Sequence, residues 1–276
     1  MSSRRGRESR LSAFEMRRGI KPLTVIRFIL KSPAEVALAA ALDAAALIRH
    51  AISQRGTARV VAATGVSQEE FLALLVVQPE IPWERVVLFH LDEYLGIPPE
   101  HPASMNRYIQ KRIVKPTAIT QTFLLDGTRD QTRATAAAAI VTAPIDVAFT
   151  GIGENGHLAF NEPPADFSTE DPFIVVDLAE QSRRQQVNER WFNSLEDVPR
   201  QAITMSVRQI LKARAILCIA TGTRKALAVQ QCFAADISPF APASALQMHL
   251  QAKLYLDSEA SALSETDPGA VNENMF

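Results

Sequence analysis

Apolar residues recur along this chain in two alternating rhythms. Short aliphatic runs, Arg59-Val60-Val61-Ala62-Ala63, Val86-Val87-Leu88-Phe89-His90-Leu91, Ile145-Asp146-Val147-Ala148-Phe149-Thr150, Ala215-Ile216-Leu217-Cys218-Ile219-Ala220 and one near Lys253, read as strands of a parallel sheet buried on both faces. Between them lie stretches with helical spacing: residues 33–52, residues 67–77 and residues 224–233. This βαβ alternation predicts an α/β fold, an open and mostly parallel sheet covered by helices on both faces. In the Ala-rich stretch 33–52, Glu35, Asp43 and Arg49 interrupt the apolar positions, which suits an amphipathic helix and argues against a membrane span.

Two of the strand ends carry candidate chemistry. After the Ile145 run comes Gly151-Ile152-Gly153-Glu154-Asn155-Gly156-His157-Leu158-Ala159-Phe160-Asn161-Glu162-Pro163. Its glycines let the backbone turn sharply and approach a ligand. His157 then falls just past a strand's carboxyl end, where open α/β sheets bind their ligands. A glycine-rich loop also serves as plain turn chemistry, and a single histidine is commonly a hydrogen-bonded structural residue. The Val86 run leads directly into Asp92-Glu93-Tyr94-Leu95-Gly96-Ile97-Pro98, so a carboxylate pair falls at a second strand end. Two such ends can converge on one crevice.

At this point the motifs carry a resemblance. LDEYLGIP, EHPASMNRY, GIGENGHLAFNEP, TGTRKALA and SALQMH follow one another in the order found in glucosamine-6-phosphate deaminases, and the chain resembles that family over residues 60–257. The wider superfamily includes the 6-phosphogluconolactonases; the DEY and GHxAFNEP pair favours the deaminase branch. The resemblance implies a three-layer, Rossmann-like fold and a cytosolic hydrolase and isomerase that needs no cofactor. Its substrate would be an aminosugar phosphate, glucosamine 6-phosphate first and galactosamine 6-phosphate second.

Conversion of such a substrate to fructose 6-phosphate requires ring opening, proton movement from C2 to C1 and loss of ammonia. The resemblance gives ring opening to His157, with Glu162 tuning its charge and orientation, and the C2 proton to Asp92. Glu93 and Tyr94 would support them. A phosphate dianion needs backbone N–H groups at a helix start and one or two fixed cations. Thr64-Gly65-Val66-Ser67 opens the first crossover helix, and Lys225 and Arg190 match the family's phosphate-binding Lys and Arg. Without the resemblance, both cations read better as ordinary solvated charges.

Two positions depart from the family pattern. Val66 stands where the first loop usually has a small or hydroxyl residue, leaving Thr64, Gly65 and Ser67 to hold phosphate. Asn155 stands where many hexameric deaminases carry an Asp that orients the histidine, and a neutral amide cannot stabilise an imidazolium as a carboxylate does. Shorter bacterial deaminases also carry Asn there, and Glu162 remains as the carboxylate partner. The shared Asn and the final Pro242-Ala243-Ser244-Ala245-Leu246 point to a monomer or small homo-oligomer.

Composition narrows the alternatives. With 276 residues, 47% of them hydrophobic, the chain can bury one large core, and a single domain over residues 22–276 is expected. A net charge of −1 gives no overall field for nucleic acid or an anionic membrane, so neither is an expected partner. Two cysteines, Cys218 and Cys232, fit inert thiols in a reducing cytosol. The five histidines show no metal-ligand spacing, and no metal is expected. Residues 1–21 are basic, lack the apolar core of a secretory signal, and are expected to form a flexible tail; a basic arm or an upstream start codon would also account for them. Residues 163–172, rich in Pro, Asp and hydroxyl residues, suit a lid edge or an ordinary surface loop. The competing functions are a 6-phosphogluconolactonase, which needs no C2 proton carrier, and a non-catalytic sugar-phosphate sensor.

Overall fold

The computed structural model of the chain describes residues 25–234 and 236–264, so the basic tail of residues 1–21 and both ends of the expected domain lie outside the described residues. Its strands are β1 (Ile26–Leu30), β2 (Ala58–Ala62), β3 (Val86–His90), β4 (Asp92–Tyr94), β5 (Gln121–Phe123), β6 (Val147–Gly151), β7 (Phe173–Asp177), β8 (Gln201–Met205), β9 (Ala215–Ala220) and β10 (Ala252–Asp257). Seven of them form one sheet in the order β1-β10-β9-β6-β2-β3-β5, and every pairing in it is parallel. The remaining three make a small antiparallel sheet, β4-β8-β7.

Both faces of the large sheet are buried, which is why its strands read as unbroken apolar runs. Within β2, Val60 and Ala62 face one core with Val36, Ala40 and Phe71, whereas Val61 faces the other with Ala136, Val229 and Met205. The layers are therefore helix, sheet, helix, as the alternating pattern requires. On one face lie α1 (Pro33–Arg55) and α2 (Val66–Val76). On the other lie α4 (Asp130–Ile140) and α6 (Ala226–Phe233), while α3 (Met105–Ile109) and α5 (Glu180–Asn188) frame one end.

The first helix has clear boundaries. Ser32 Oγ accepts from the Glu35 amide at 3.3 Å, Pro33 occupies the first turn, and Gly56 at φ 79° closes the other end. By length and hydropathy α1 could cross a membrane, but Ala40, Ala41, Ala44, Ala45 and Ile48 are fully buried against the sheet. It is a core helix.

The DEY segment, past the carboxyl end of β3 as expected, is itself the strand β4 of the small sheet. Leu91 is a pivot: its amide donates to Ala62 of the large sheet at 3.2 Å, and its carbonyl accepts from Met205 of the small sheet at 2.9 Å. Asp92, Glu93 and Tyr94 then pair antiparallel with Thr204, Ile203 and Ala202. Residues 163–172 form an irregular connection into β7, where the amides of Ser168 and Thr169 donate to the Asp166 carboxylate at 2.7 and 3.2 Å.

Candidate active site

Four neighbouring strands, β9, β6, β2 and β3, end on the same edge of the sheet and deliver their following residues to one cleft of ≈ 410 Å³. Thr221 to Lys225 follow β9, Ile152 to His157 follow β6, Thr64 to Ser67 follow β2 and Asp92 follows β3. Of the residues expected in a site, Thr64, Gly65, Ser67, Asp92, His157 and Lys225 line this cleft together. Asn155 and Glu162 stand behind His157. Arg190 does not line the cleft: it is exposed, with φ 64°, just beyond the end of α5, although Glu189 and Trp191 on either side do line it.

The loop after β6 is closed on itself, with Gly153 N donating to His157 O and Gly156 N to Gly153 O, both at 3.0 Å. Gly156 takes φ 82°, a conformation that favours glycine. Below the loop, the Asn161 amide donates to the carbonyls of Leu158 at 2.8 Å and Met205 at 2.9 Å, tying it to the small sheet.

His157 is held from one side only. Its Nδ1 lies 3.1 Å from Ser182 Oγ and 3.6 Å from Glu162 Oε2, so the contact with the carboxylate is an ion-pair approach rather than a hydrogen bond. Glu162 Oε2 accepts from Asn155 Nδ2 at 2.7 Å and Ser182 Oγ at 2.9 Å. Burial pushes the Glu162 carboxyl up, but His157, Ser182 and Asn155 together outweigh it and hold the acid below its ordinary range. Among the described residues, His157 Nε2 has no hydrogen-bond partner, and the residue lines the cleft.

Asp92 and Glu93 are adjacent carboxylates with opposite surroundings. Glu93 accepts from the amides of Tyr94 at 2.8 Å, Met105 at 3.1 Å and Asn106 at 2.8 Å, and from Ser104 Oγ at 2.7 Å. It therefore caps the start of α3. Burial raises its pKa and these donors pull it back. Nothing among the described residues donates to the Asp92 carboxylate, which faces the cleft at 6% exposure. Burial first, and the Glu93 charge second, push Asp92 up to about 8. Asp92 is thus a carboxyl able to take and return a proton near neutrality.

The start of α2 also lines the cleft; it has no side-chain cap and begins at Gly65 with φ 106°, leaving amides of its first turn, among the described residues, free for an anion. Lys225, after β9, lines the same cleft, its pKa lowered by burial and pulled back by the Glu189 and Glu154 carboxylates. Arg224 also lines the cleft and lies 3.3 Å from Glu154.

Comparison with known proteins agrees with this fold. Residues 31–255 match the family described as glucosamine-6-phosphate isomerases/6-phosphogluconolactonase. The chain belongs to that family. Similar members of the glucosamine-6-phosphate isomerase/6-phosphogluconolactonase family include a glucosamine-6-phosphate deaminase of Rhodopirellula baltica, 40% identical over 211 residues, covering 73% of this chain and 82% of that protein. Another is the glucosamine-6-phosphate deaminase of Halothermothrix orenii, 36% identical over 231 residues, 82% of this chain and 93% of its own. A solved monomeric glucosamine-6-phosphate deaminase superposes with a TM-score of 0.79 at 29% identity, over 87% of this chain and 100% of that one. A 6-phosphogluconolactonase of Shewanella baltica shares the fold, with a TM-score of 0.69 at 18% identity over 84% of this chain and 97% of its own.

Sequence reasoning missed several residues of this family member's cleft. Gln185, Gln186 and Glu189 line it from α5 and its end, and Ser182 of the same helix stands behind His157; Gln185 accepts from the Glu154 amide at 3.2 Å and donates to Glu189 at 2.7 Å. Arg224 lay within a quoted motif and was not singled out. The signal was weak, because α5 has a polar buried face rather than an apolar stripe.

Proposed function

We propose that the chain is an aminosugar-phosphate deaminase and isomerase of the cytosol, converting glucosamine 6-phosphate and water to fructose 6-phosphate and ammonia. The observation that carries the reading is the pairing, in one cleft, of an unpartnered buried carboxyl with a histidine held from one side. The relatives named as glucosamine-6-phosphate deaminases support it. A lactonase needs activated water but no carrier for a carbon-bound proton, and Asp92 is suited to the second task.

In the proposed sequence, the phosphate binds the first-turn amides of α2 with Thr64, Gly65 and Ser67, and Lys225 supplies a cation. Arg190, one residue from lining positions on each side, joins it by swinging its side chain inward. His157 Nε2 takes the anomeric hydroxyl proton as C1–O5 breaks and C1=O forms, and O5 receives the proton. Asp92 takes the C2 proton while O1 takes one from the substrate's ammonium group, giving the enolamine, and Asp92 returns its proton to C1, leaving an iminium at C2. Water adds to that carbon and ammonia departs. Asn155 and Glu162 act through His157.

The test is an end-point assay for ammonia and fructose 6-phosphate with glucosamine 6-phosphate, run beside galactosamine 6-phosphate and 6-phosphogluconolactone. Ammonia from glucosamine 6-phosphate supports the proposal, and release from the galactosamine ester alone reassigns the substrate at C4. Lactone hydrolysis without ammonia overturns it, as does stabilisation by sugar phosphate without turnover, the behaviour of a sensor. We also propose a monomer or small homo-oligomer, in line with the monomeric deaminase that superposes on this chain. A stable hexamer in light scattering would refute that.

A further inference from the structure

We propose that Ser182 is a positioning residue that fixes neutral His157 as the tautomer protonated at Nδ1, leaving the Nε2 lone pair as the base that meets the sugar. This rests on the reading of His157 as the ring-opening group. The argument is a count of hydrogens in a closed cluster. Ser182 Oγ is buried and lies 2.9 Å from Glu162 Oε2, 3.1 Å from His157 Nδ1 and 3.1 Å from Asn155 Nδ2. A serine hydroxyl has one hydrogen to give and two lone pairs to offer.

The orientation of Asn155 is set first. Its Oδ1 accepts from the His157 backbone amide at 3.2 Å, so its Nδ2 faces the cluster, with one hydrogen for Glu162 at 2.7 Å and the other for Ser182. The reversed amide would set a carbonyl oxygen against the Glu162 carboxylate and an NH2 against an N–H. Glu162, held ionised by its donors, can only accept. The Ser182 hydrogen must therefore point at Glu162, since two oxygens at 2.9 Å without a hydrogen between them repel. With that hydrogen committed, Ser182 Oγ can only accept from His157, and Nδ1 must carry the proton.

The consequence is chemical. At 3.6 Å Glu162 does not bond His157 directly, so the serine hydroxyl links the carboxylate to the ring. When Nε2 takes the sugar's proton, the imidazolium keeps its Nδ1–H bond to Ser182, and Glu162 balances the charge through the polarised hydroxyl.

The experiment combines nitrogen-15 histidine NMR, with the His157 signals assigned by comparison with His157→Gln, and steady-state kinetics of Ser182→Ala and Ser182→Thr. We expect parent His157, when neutral, to show a protonated Nδ1 and a bare Nε2. Ser182→Ala loses that preference, and its kcat falls about tenfold with KM changed less than about twofold, the scale of a lost outer contact to a working histidine. Ser182→Thr keeps the hydroxyl and restores both. A parent His157 protonated at Nε2 overturns the proposal, and so does a Ser182→Ala protein that retains the parent tautomer, whatever its kcat. Failure of the ring-opening reading is separately visible: His157→Gln would then turn over at the parent rate while the tautomer result stood.

Discussion

A Cβ placed on Gly153 would stand 2.2 Å from Cε1 of His157 and 2.3 Å from both of its ring nitrogens. The imidazole therefore rests on the backbone of its own loop. Gly153 is required by that close approach and not by an unusual φ. Gly153→Ala must push the ring away from Ser182 and from the cleft. We expect kcat to fall on the order of a hundredfold, the effect of a displacement of about 1 Å at a catalytic group. Overpacking should cost about 1–3 kcal/mol of stability. Parent kcat in this variant would show that the ring position is not what the loop protects.

On the proposed mechanism, Asp92→Asn separates proton transfer from binding. Losing a positioned proton carrier should lower kcat roughly a hundred- to ten-thousand-fold. Stabilisation of the protein by glucosamine 6-phosphate should persist, since the residues proposed to hold the phosphate are untouched. The stability of the free protein carries a second signature. The folded carboxyl titrates at about 8, far above an ordinary aspartate, so between those values the folded state holds a proton that the unfolded chain has released. Stability then falls as pH rises through that window. Asn removes the dependence, so the variant should gain on the parent in Tm between about pH 5 and about pH 8. A constant difference across that range would contradict the placement of Asp92 in a site without donors.

How much of this was legible in the sequence follows from burial. Strands β2, β3, β6, β9 and β10 were readable because both faces of the sheet are covered, leaving β3 and β9 buried at every position. The edge strands β1 and β5 were not, since half-exposed Arg27 and exposed Gln121 break the apolar run. The small sheet was hidden for a related reason: β4 is three residues long and two of them are carboxylates. Its pairing is decided by the pivot at Leu91, a tertiary contact with no local signal. The places of Asp92, His157, the Thr64 loop and Lys225 at one edge of the sheet were legible because each follows an apolar strand. Ser182 was not, because the buried positions of α5 are Ser182, Gln185 and Gln186, and a polar inward face looks like a solvated one. Arg190 was found by motif, and its exposed backbone position could not be anticipated from neighbours that do line the cleft.

Glu93 is expected to serve the fold before the chemistry. Three backbone amides and the Ser104 hydroxyl converge on it, and an amide in its place would oppose one N–H with another. Glu93→Gln should lose about 2–3 kcal/mol, the scale of hydrogen bonds to a charged group left poorly made, read from the urea midpoint. Because Glu93 is joined to Asp92 and anchors α3 beside the cleft, kcat should fall too, though less than in Asp92→Asn. Undiminished stability would mean that the start of α3 does not depend on this carboxylate.

Lys225 tests the proposed phosphate site. It lines the cleft, and burial already lowers its pKa, so the ammonium is poorly solvated and an arriving dianion restores what burial removed. Lys225→Met keeps most of the side-chain volume and deletes the charge. One charged hydrogen bond is worth about 1.5–3 kcal/mol, so KM for glucosamine 6-phosphate should rise roughly ten- to a hundredfold with kcat little changed. Competitive inhibition by inorganic phosphate should weaken in parallel, because it reports the same cation without the sugar. A rise in KM with phosphate inhibition intact would move Lys225 from the phosphate to the sugar hydroxyls, and no change in either would remove it from the binding site.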